Sequence, residues 1–195
     1  MDEYDGKEIE GVTYKVHHIH HFCWPIITLF KMTLIRDFWE DCDYACYFNG
    51  NMQCNKDYDY LNSNYDFDKL NCAFHSLSTS NTDFDGNIFG KNISNDSVAY
   101  INEPYKYIHG GYFFGPSNII KQMCKDVSDM VEKDLSKNII PKWHDESYLN
   151  KWCVLNKDKV NKKRFVSYSK YTKDQSIAII ETIEKDRKTS KRFFE

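Results

Sequence analysis

From Tyr105 onward the chain changes its hydrophobic period without a break. Tyr105 to Phe114 reads as an extended strand passing through glycines. Ser117 then caps a helix running to about Leu135, with Ile119, Ile120, Met123, Val127 and Met130 at helical spacing. Asp145 to Leu155 reads as a further helix. Upstream, Val12 to Val16 alternates like a strand, and Trp24 to Trp39 has helical character with Pro25 near its first turn. Tyr44 to Phe48 is a short apolar run of the kind found in buried strands. Phe74 to Thr79 reads as another strand, residues 80–97 as a polar surface excursion, and Lys173 to Lys185 as a last helix. Strands alternating with helices predict an α/β sandwich with a largely parallel sheet. The length of 195 residues suits a single domain, residues 1–195, with a real core.

Composition narrows the class. A hydrophobic content of 41% and an aromatic content of 16% exclude disorder. No apolar run is long enough to cross a bilayer, and no signal peptide opens the chain. Seven cysteines, none in a Cys-x-x-Cys pair, read as reduced core thiols in a cytoplasmic protein, without a disulfide framework or zinc site. Of the neighbouring histidines 17, 18, 20 and 21, His18 and His20 share a strand face, but an exposed strand end accounts for them better than zinc. Charge is divided unevenly. Residues 1–150 carry 13 Lys and Arg against 23 Asp and Glu, residues 151–195 carry 13 against 6, and the totals are 26 and 29. A basic tail on an acidic body suits a nucleic-acid arm or a segment that folds over a diphosphate.

The chemistry concentrates in Trp143-His144-Asp145-Glu146-Ser147-Tyr148-Leu149-Asn150. Two adjacent carboxylates beside an aromatic platform suit sugar chemistry. One can stabilise an oxocarbenium-like centre, the other can hold hydroxyls, and an indole can stack on a pyranose. The plainer alternative is a helix start, where acids complement the dipole. A second segment lies upstream, Tyr107-Ile108-His109-Gly110-Gly111-Tyr112-Phe113-Phe114-Gly115. Two more follow the same order: Trp24 to Met32, and Asp43-Tyr44-Ala45-Cys46-Tyr47-Phe48-Asn49-Gly50-Asn51-Met52. Together the four resemble glycosyltransferase family 6, the family of the histo-blood-group A and B transferases and the α-1,3-galactosyltransferases. Animal members carry a membrane anchor; this chain is similar to the shorter, soluble bacterial or phage members.

The resemblance implies a GT-A-type, Rossmann-like sandwich and a retaining transferase. It would move GalNAc or Gal from a UDP-sugar to a galactose-containing glycan in α-1,3 linkage. Glu146 matches the family's proposed nucleophile, acting through a glycosyl-enzyme or by shielding an ion pair, and Asp145 would bind donor hydroxyls. The family's metal-binding Asp-x-Asp appears as Asn49 and Asn51. Amides are weak ligands for hard cations, so no divalent metal or other cofactor is expected. Other Asp-x-Asp strings, such as Asp57/Asp59, follow no suitable apolar strand. Lys31 stands where the family carries Arg near the donor sugar. His109-Gly110-Gly111 matches the donor-selecting tripeptide; two glycines leave room for an N-acetyl group, whereas the leading His is typical of galactose transfer. By itself Gly110-Gly111 also reads as a strand bulge.

Lys185, Arg187 and Lys188, in the basic segment 173–195, would close over the donor diphosphate. Trp143, His144 and Asn71 would face the acceptor, Asn71 standing in place of a family histidine. The family's first strand–helix unit, which contacts uridine, has no counterpart ahead of Met1, so the nucleotide half is expected to be N-terminally short. The rival to an active transferase is a truncated, inactive relative that only binds sugar nucleotide or glycan. Neither nucleic acid nor stable membrane insertion is expected.

Overall fold

The computed structural model describes residues 10–13, 15–19, 22–50, 52–54, 65–74, 93–163, 166–168 and 180–182. Two short helices, α1 (Ile26–Leu29) and α2 (Lys31–Asp37), lead into strands β1 (Tyr44–Phe48), β2 (Met52–Cys54), β3 (Leu70–Phe74) and β4 (Ile108–Pro116). Helices α3 (Ser117–Leu135) and α4 (His144–Leu155) follow, then a 3-10 turn at Lys157–Lys159 and strands β5 (Val160–Lys163), β6 (Val166–Tyr168) and β7 (Ile180–Thr182).

The main sheet has the order β1-β4-β3-β5. It packs against α3 and α4 through Leu70, Ile108, Phe113, Ile120, Met123 and Trp152, all at most 1% exposed. This is an α/β fold with helices flanking the sheet, as the alternation of periods predicts, and it is compatible with a GT-A-like sandwich. The sheet is mixed, however, not largely parallel. β4 runs antiparallel to both β1 and β3, and only β3 and β5 are parallel. Parallel neighbours need long crossovers. Here both long helices fall between β4 and β5, and none of the described helices separates β1 from β4. A second sheet, β2-β7-β6, pairs β7 antiparallel to β2 and parallel to β6.

Local chemistry explains the helix ends. Asn138 adopts a left-handed φ of 57°, and the Ile139 N–H bonds back to the Asp134 carbonyl at 2.9 Å, which closes α3. Ser117 is the first residue of α3, not its cap; Pro116 holds the cap position and no side chain bonds there. Asp134 is buried and accepts from Ser97 Oγ (2.5 Å), Val98 N–H (2.9 Å) and Tyr148 Oη (3.0 Å), tying α3 to α4.

Other expectations change. The 24–39 helix breaks at Phe30 (φ −89°, ψ 8°), after the β-branched run Ile26-Ile27-Thr28, which crowds a helical turn. The described part of 12–16 is not a strand: Val12 and Val16 are exposed, and alternation without a pairing partner makes no ladder. The strand sought at 74–79 lies earlier, at Leu70–Phe74; residues 75–79 are outside the described ones. Within 80–97, Ile93 and Ser97 are buried rather than on the surface. Residues 180–182 form β7 instead of continuing a 173–185 helix, because pairing with β2 and β6 overrides local pattern. Among the described residues no helix is long and apolar enough to cross a membrane. Cys72, Cys124 and Cys153 are buried free thiols, and burial pushes Cys124 up to about 12.

Candidate active site

The start of α4 carries Asp145 and Glu146 in its first turn, where the exposed N–H groups favour negative charge. The two carboxylates diverge. Asp145 Oδ2 meets Lys31 Nζ at 2.5 Å, joining α4 to α2. Glu146 turns to β4: its Oε1 accepts the Gly110 N–H at 2.8 Å and its Oε2 accepts the Tyr107 hydroxyl at 2.6 Å. Lys31 Nζ also donates to the Gly110 carbonyl at 2.9 Å. Both backbone polar groups of Gly110 are thus bonded to charged side chains of the site.

Glycine is required here by packing. A Cβ on Gly110 would stand 2.6 Å from Glu146 Cγ and 3.0 Å from Asp145 Oδ2. A Cβ on Gly111 would stand 2.8 Å from Asn49 Nδ2 and would also meet Met52 and His109. The space that the sequence reading left for a substrate N-acetyl group is taken by the site's own side chains. The ladder between β3 and β4 shifts register between Cys72 and Phe74, opposite this glycine pair, so the bulge reading also describes the backbone.

One turn along α4, the buried Asn150 fixes the register. It accepts from the Ile108 N–H (2.7 Å) and donates to the carbonyls of Ile108 (2.9 Å) and Glu146 (2.8 Å). On the other side of the glycines, Asn49 donates its N–H to the Gly111 carbonyl at 2.8 Å, and its Oδ1 accepts the Tyr47 hydroxyl at 2.8 Å. His109 is buried; its Nδ1 accepts the Gly111 N–H at 3.0 Å, which leaves the proton of the neutral ring on Nε2. Beside them opens a cleft of about 560 Å³, lined by Ile27, Thr28, Lys31, Leu34, Ile35, Tyr47, Asn49 and Gly50.

Burial and charge compete at these groups. Burial pulls the Lys31 ammonium down, but the Asp145 charge and hydrogen bond, with Tyr47 and Glu146, outweigh it and hold Lys31 above its usual value. Burial pushes the Asp145 carboxyl above the carboxylate range, and Lys31 offsets this only in part. The Tyr107 phenol is held far above its ordinary value by burial and by the adjacent Glu146 charge, so it stays a hydrogen-bond donor. Burial lowers His144 below the usual imidazole value against the pull of Asp145 and Glu146.

Of the residues predicted from sequence, Lys31, Asn49, His109, Gly110, Gly111, Asp145 and Glu146 converge. His144 enters α4 with a left-handed φ of 44° and meets the exposed Trp24 edge-on at 5.1 Å, while Trp143 lies under Lys142 at 5.2 Å. Asn51, Lys185, Arg187 and Lys188 lie outside the described residues. Asn71 does not face an acceptor. It is fully buried; its Nδ2 donates to the carbonyls of Asp66, Lys69 and Phe114, and its Oδ1 accepts from the Asp66 N–H and Asn161 Nδ2. Its side chain is consumed in holding β3, β4 and β5 together. Tyr47, Tyr107 and Asn150 went unassigned in the sequence. Two had positional signals: Asn150 is four residues from Glu146 on one helix face, and Tyr47 shares a strand face with Asn49.

An anchored carboxylate pair at a helix start, under a glycine-lined strand and beside a cleft holding a lysine and an amide, is an arrangement suited to carbohydrate chemistry on an α/β fold. No curated protein matches the chain. Residues 8–192 match the model of glycosyltransferase family 6, and the chain belongs to that family. It is therefore a glycosyltransferase, acting between a sugar donor and a glycan acceptor.

Proposed function

We propose that the protein is a retaining, metal-independent hexosyltransferase. It moves GalNAc or Gal from UDP to a galactose-containing glycan in α-1,3 linkage, in the cytoplasm. The observation that carries this reading is the double anchoring of Glu146. Tyr107 Oη and Gly110 N–H donate to one oxygen each and hold the carboxyl group beside a second, ion-paired acid. Such a group can face a sugar C1 as positive charge builds there. Both routes to retention, a glycosyl-enzyme on Glu146 or front-face attack with Glu146 shielding the ion pair, use it in the same place.

The donor reading draws on the cleft next to this pair, where Lys31 Nζ and Asn49 supply positive charge and an amide for phosphate or sugar oxygens. Lys185, Arg187, Lys188 and Asn51 complete it on the sequence pattern alone. Asn49 does not fit a hard divalent cation: it is neutral, and its oxygen already accepts a phenol proton. Trp143 and His144, with Trp24 exposed alongside, make an aromatic edge suited to an acceptor sugar. Since the Gly110-Gly111 space is filled from within, both donor sugars remain in the proposal.

The test is transfer from UDP-GalNAc and UDP-Gal to a glycan array in excess EDTA, by wild type and Glu146→Gln. Wild type should transfer in chelator, and the variant should lose at least about a hundredfold with its melting temperature kept. Equal turnover by the variant would remove Glu146 from the chemistry. Activity lost in EDTA and restored by manganese would overturn metal independence.

A further inference from the structure

An asparagine amide can present either end to a ligand. With its oxygen outward it greets cations; with its nitrogen outward it donates to anions. The backbone does not choose between them: Asn49 is pinned there through its own N–H to the Gly111 carbonyl and through its carbonyl, which accepts the Met52 N–H, and neither bond involves the amide side chain.

We propose that Tyr47 is a positioning residue that fixes the Asn49 amide by its oxygen and leaves its NH2 as a donor to the oxygens of a diphosphate. This rests on the nucleotide-sugar reading above and adds the device that makes the cleft select an anion. The Tyr47 hydroxyl lies 2.8 Å from Asn49 Oδ1. A phenol can donate to the amide oxygen or accept from the amide nitrogen, and its role decides which end of Asn49 it meets. Lys31 sets that role. The ammonium sits 5.2 Å from the Tyr47 ring centroid; burial raises the phenol's proton affinity, so it keeps its proton, and the Lys31 charge opposes this only in part. A cation there attracts the phenol oxygen's lone pairs and sends its proton the other way, to Asn49. The amide oxygen is thereby occupied. The Nδ2 end lies toward Gly111, only 2.8 Å from where a Cβ would stand. Among the described residues lining the cleft there is no carboxylate to compete for these donors.

The Tyr47 ring itself is held independently. It stacks on Phe113 at 5.0 Å with planes 17° apart, so phenylalanine can take its place without a cavity. Tyr47→Phe removes only the hydroxyl and releases the amide.

The experiment is calorimetric titration of UDP in EDTA and in manganese, with steady-state kinetics, on wild type, Tyr47→Phe, Asn49→Ala and the double variant. Tyr47→Phe should bind UDP about tenfold more weakly in EDTA, the equivalent of one well-placed hydrogen bond. Its donor KM should rise with kcat at saturation unchanged, and manganese should now strengthen UDP binding where wild type is indifferent. In the Asn49→Ala background Tyr47→Phe should have no further effect, because its action runs through the amide. A Tyr47→Phe variant binding UDP like wild type, or an undiminished effect in the Asn49→Ala background, overturns the inference and leaves the transferase reading standing. A wild type that fails to bind UDP overturns both.

Discussion

Lys31 answers two backbone and side-chain acceptors at once, and what it prevents is an unpaired buried carboxylate. Its side chain is 13% exposed and that of Asp145 is 6%. Breaking a buried pair by deleting one partner costs about 3–5 kcal/mol, since the remaining charge stays out of water. Lys31→Met should therefore destabilise by about that amount at neutral pH. The sign of its pH dependence follows from Asp145, whose folded-state pKa is already raised by burial and rises further without the ammonium. Folding then favours the protonated acid, so the penalty is full above that pKa and fades as pH falls through it. Urea unfolding at pH 7.5 and pH 5 should show the gap to wild type narrowing in acid; a gap that widens would contradict the pairing. Single residues were legible unevenly. Glu146, Asp145 and Gly110 announce themselves because charge and missing side chains are rare within an apolar strand and helix start. Tyr107 and Tyr47 do not, since the chain has fourteen tyrosines and nothing local separates a proton donor from a packing ring. Asn71 reads as a polar group near a site, and only the three-strand contact reveals that its amide is spent on backbone.

At the level of elements the site exists because α4 sits on β4 in one register, and Asn150 sets that register. The residue is 1% exposed and satisfies the Ile108 N–H and C=O, which no helix would otherwise reach. Asn150→Leu should cost about 2–4 kcal/mol, because it strands two buried backbone groups and a leucine cannot bond either. Transfer should fall as well, since Glu146 would lose the helix position from which it reaches Gly110. Denaturant midpoints and transfer rates on the same preparation check both; a stable variant with normal rates would show that packing alone holds the helix. The helices α3 and α4 could be foreseen, since a 3.6-residue period is written in consecutive positions. Sheet direction could not. The pairing of Tyr44 with Pro116 spans the middle of the chain, and no local pattern states whether β4 runs with β1 or against it. The same nonlocality turned 180–182 into a strand and left Val12 and Val16 outside any ladder.

In the whole molecule the cleft and the acids are not on one element but spread over four. α2 gives Lys31, β1 leads to Asn49, β4 gives Gly110 and α4 gives Asp145 and Glu146. These elements also share one core, in which Met32, Ile108, Phe113 and Leu149 are all at most 1% exposed. A ligand bridging the cleft therefore touches the parts that separate when the fold opens, and its binding energy should appear in global stability. UDP at a hundred times its dissociation constant should add about 2.7 kcal/mol to folding. For a chain of this size that corresponds to a rise in melting temperature of about 5–10 °C. On the proposed reading, in which Lys31 and the Asn49 amide serve the diphosphate without a cation, the rise should occur in EDTA and should shrink in Tyr47→Phe. Differential scanning calorimetry with and without UDP and chelator measures it. A rise that needs manganese would place a cation between nucleotide and protein, and no rise at any UDP concentration would mean that the cleft does not hold the donor.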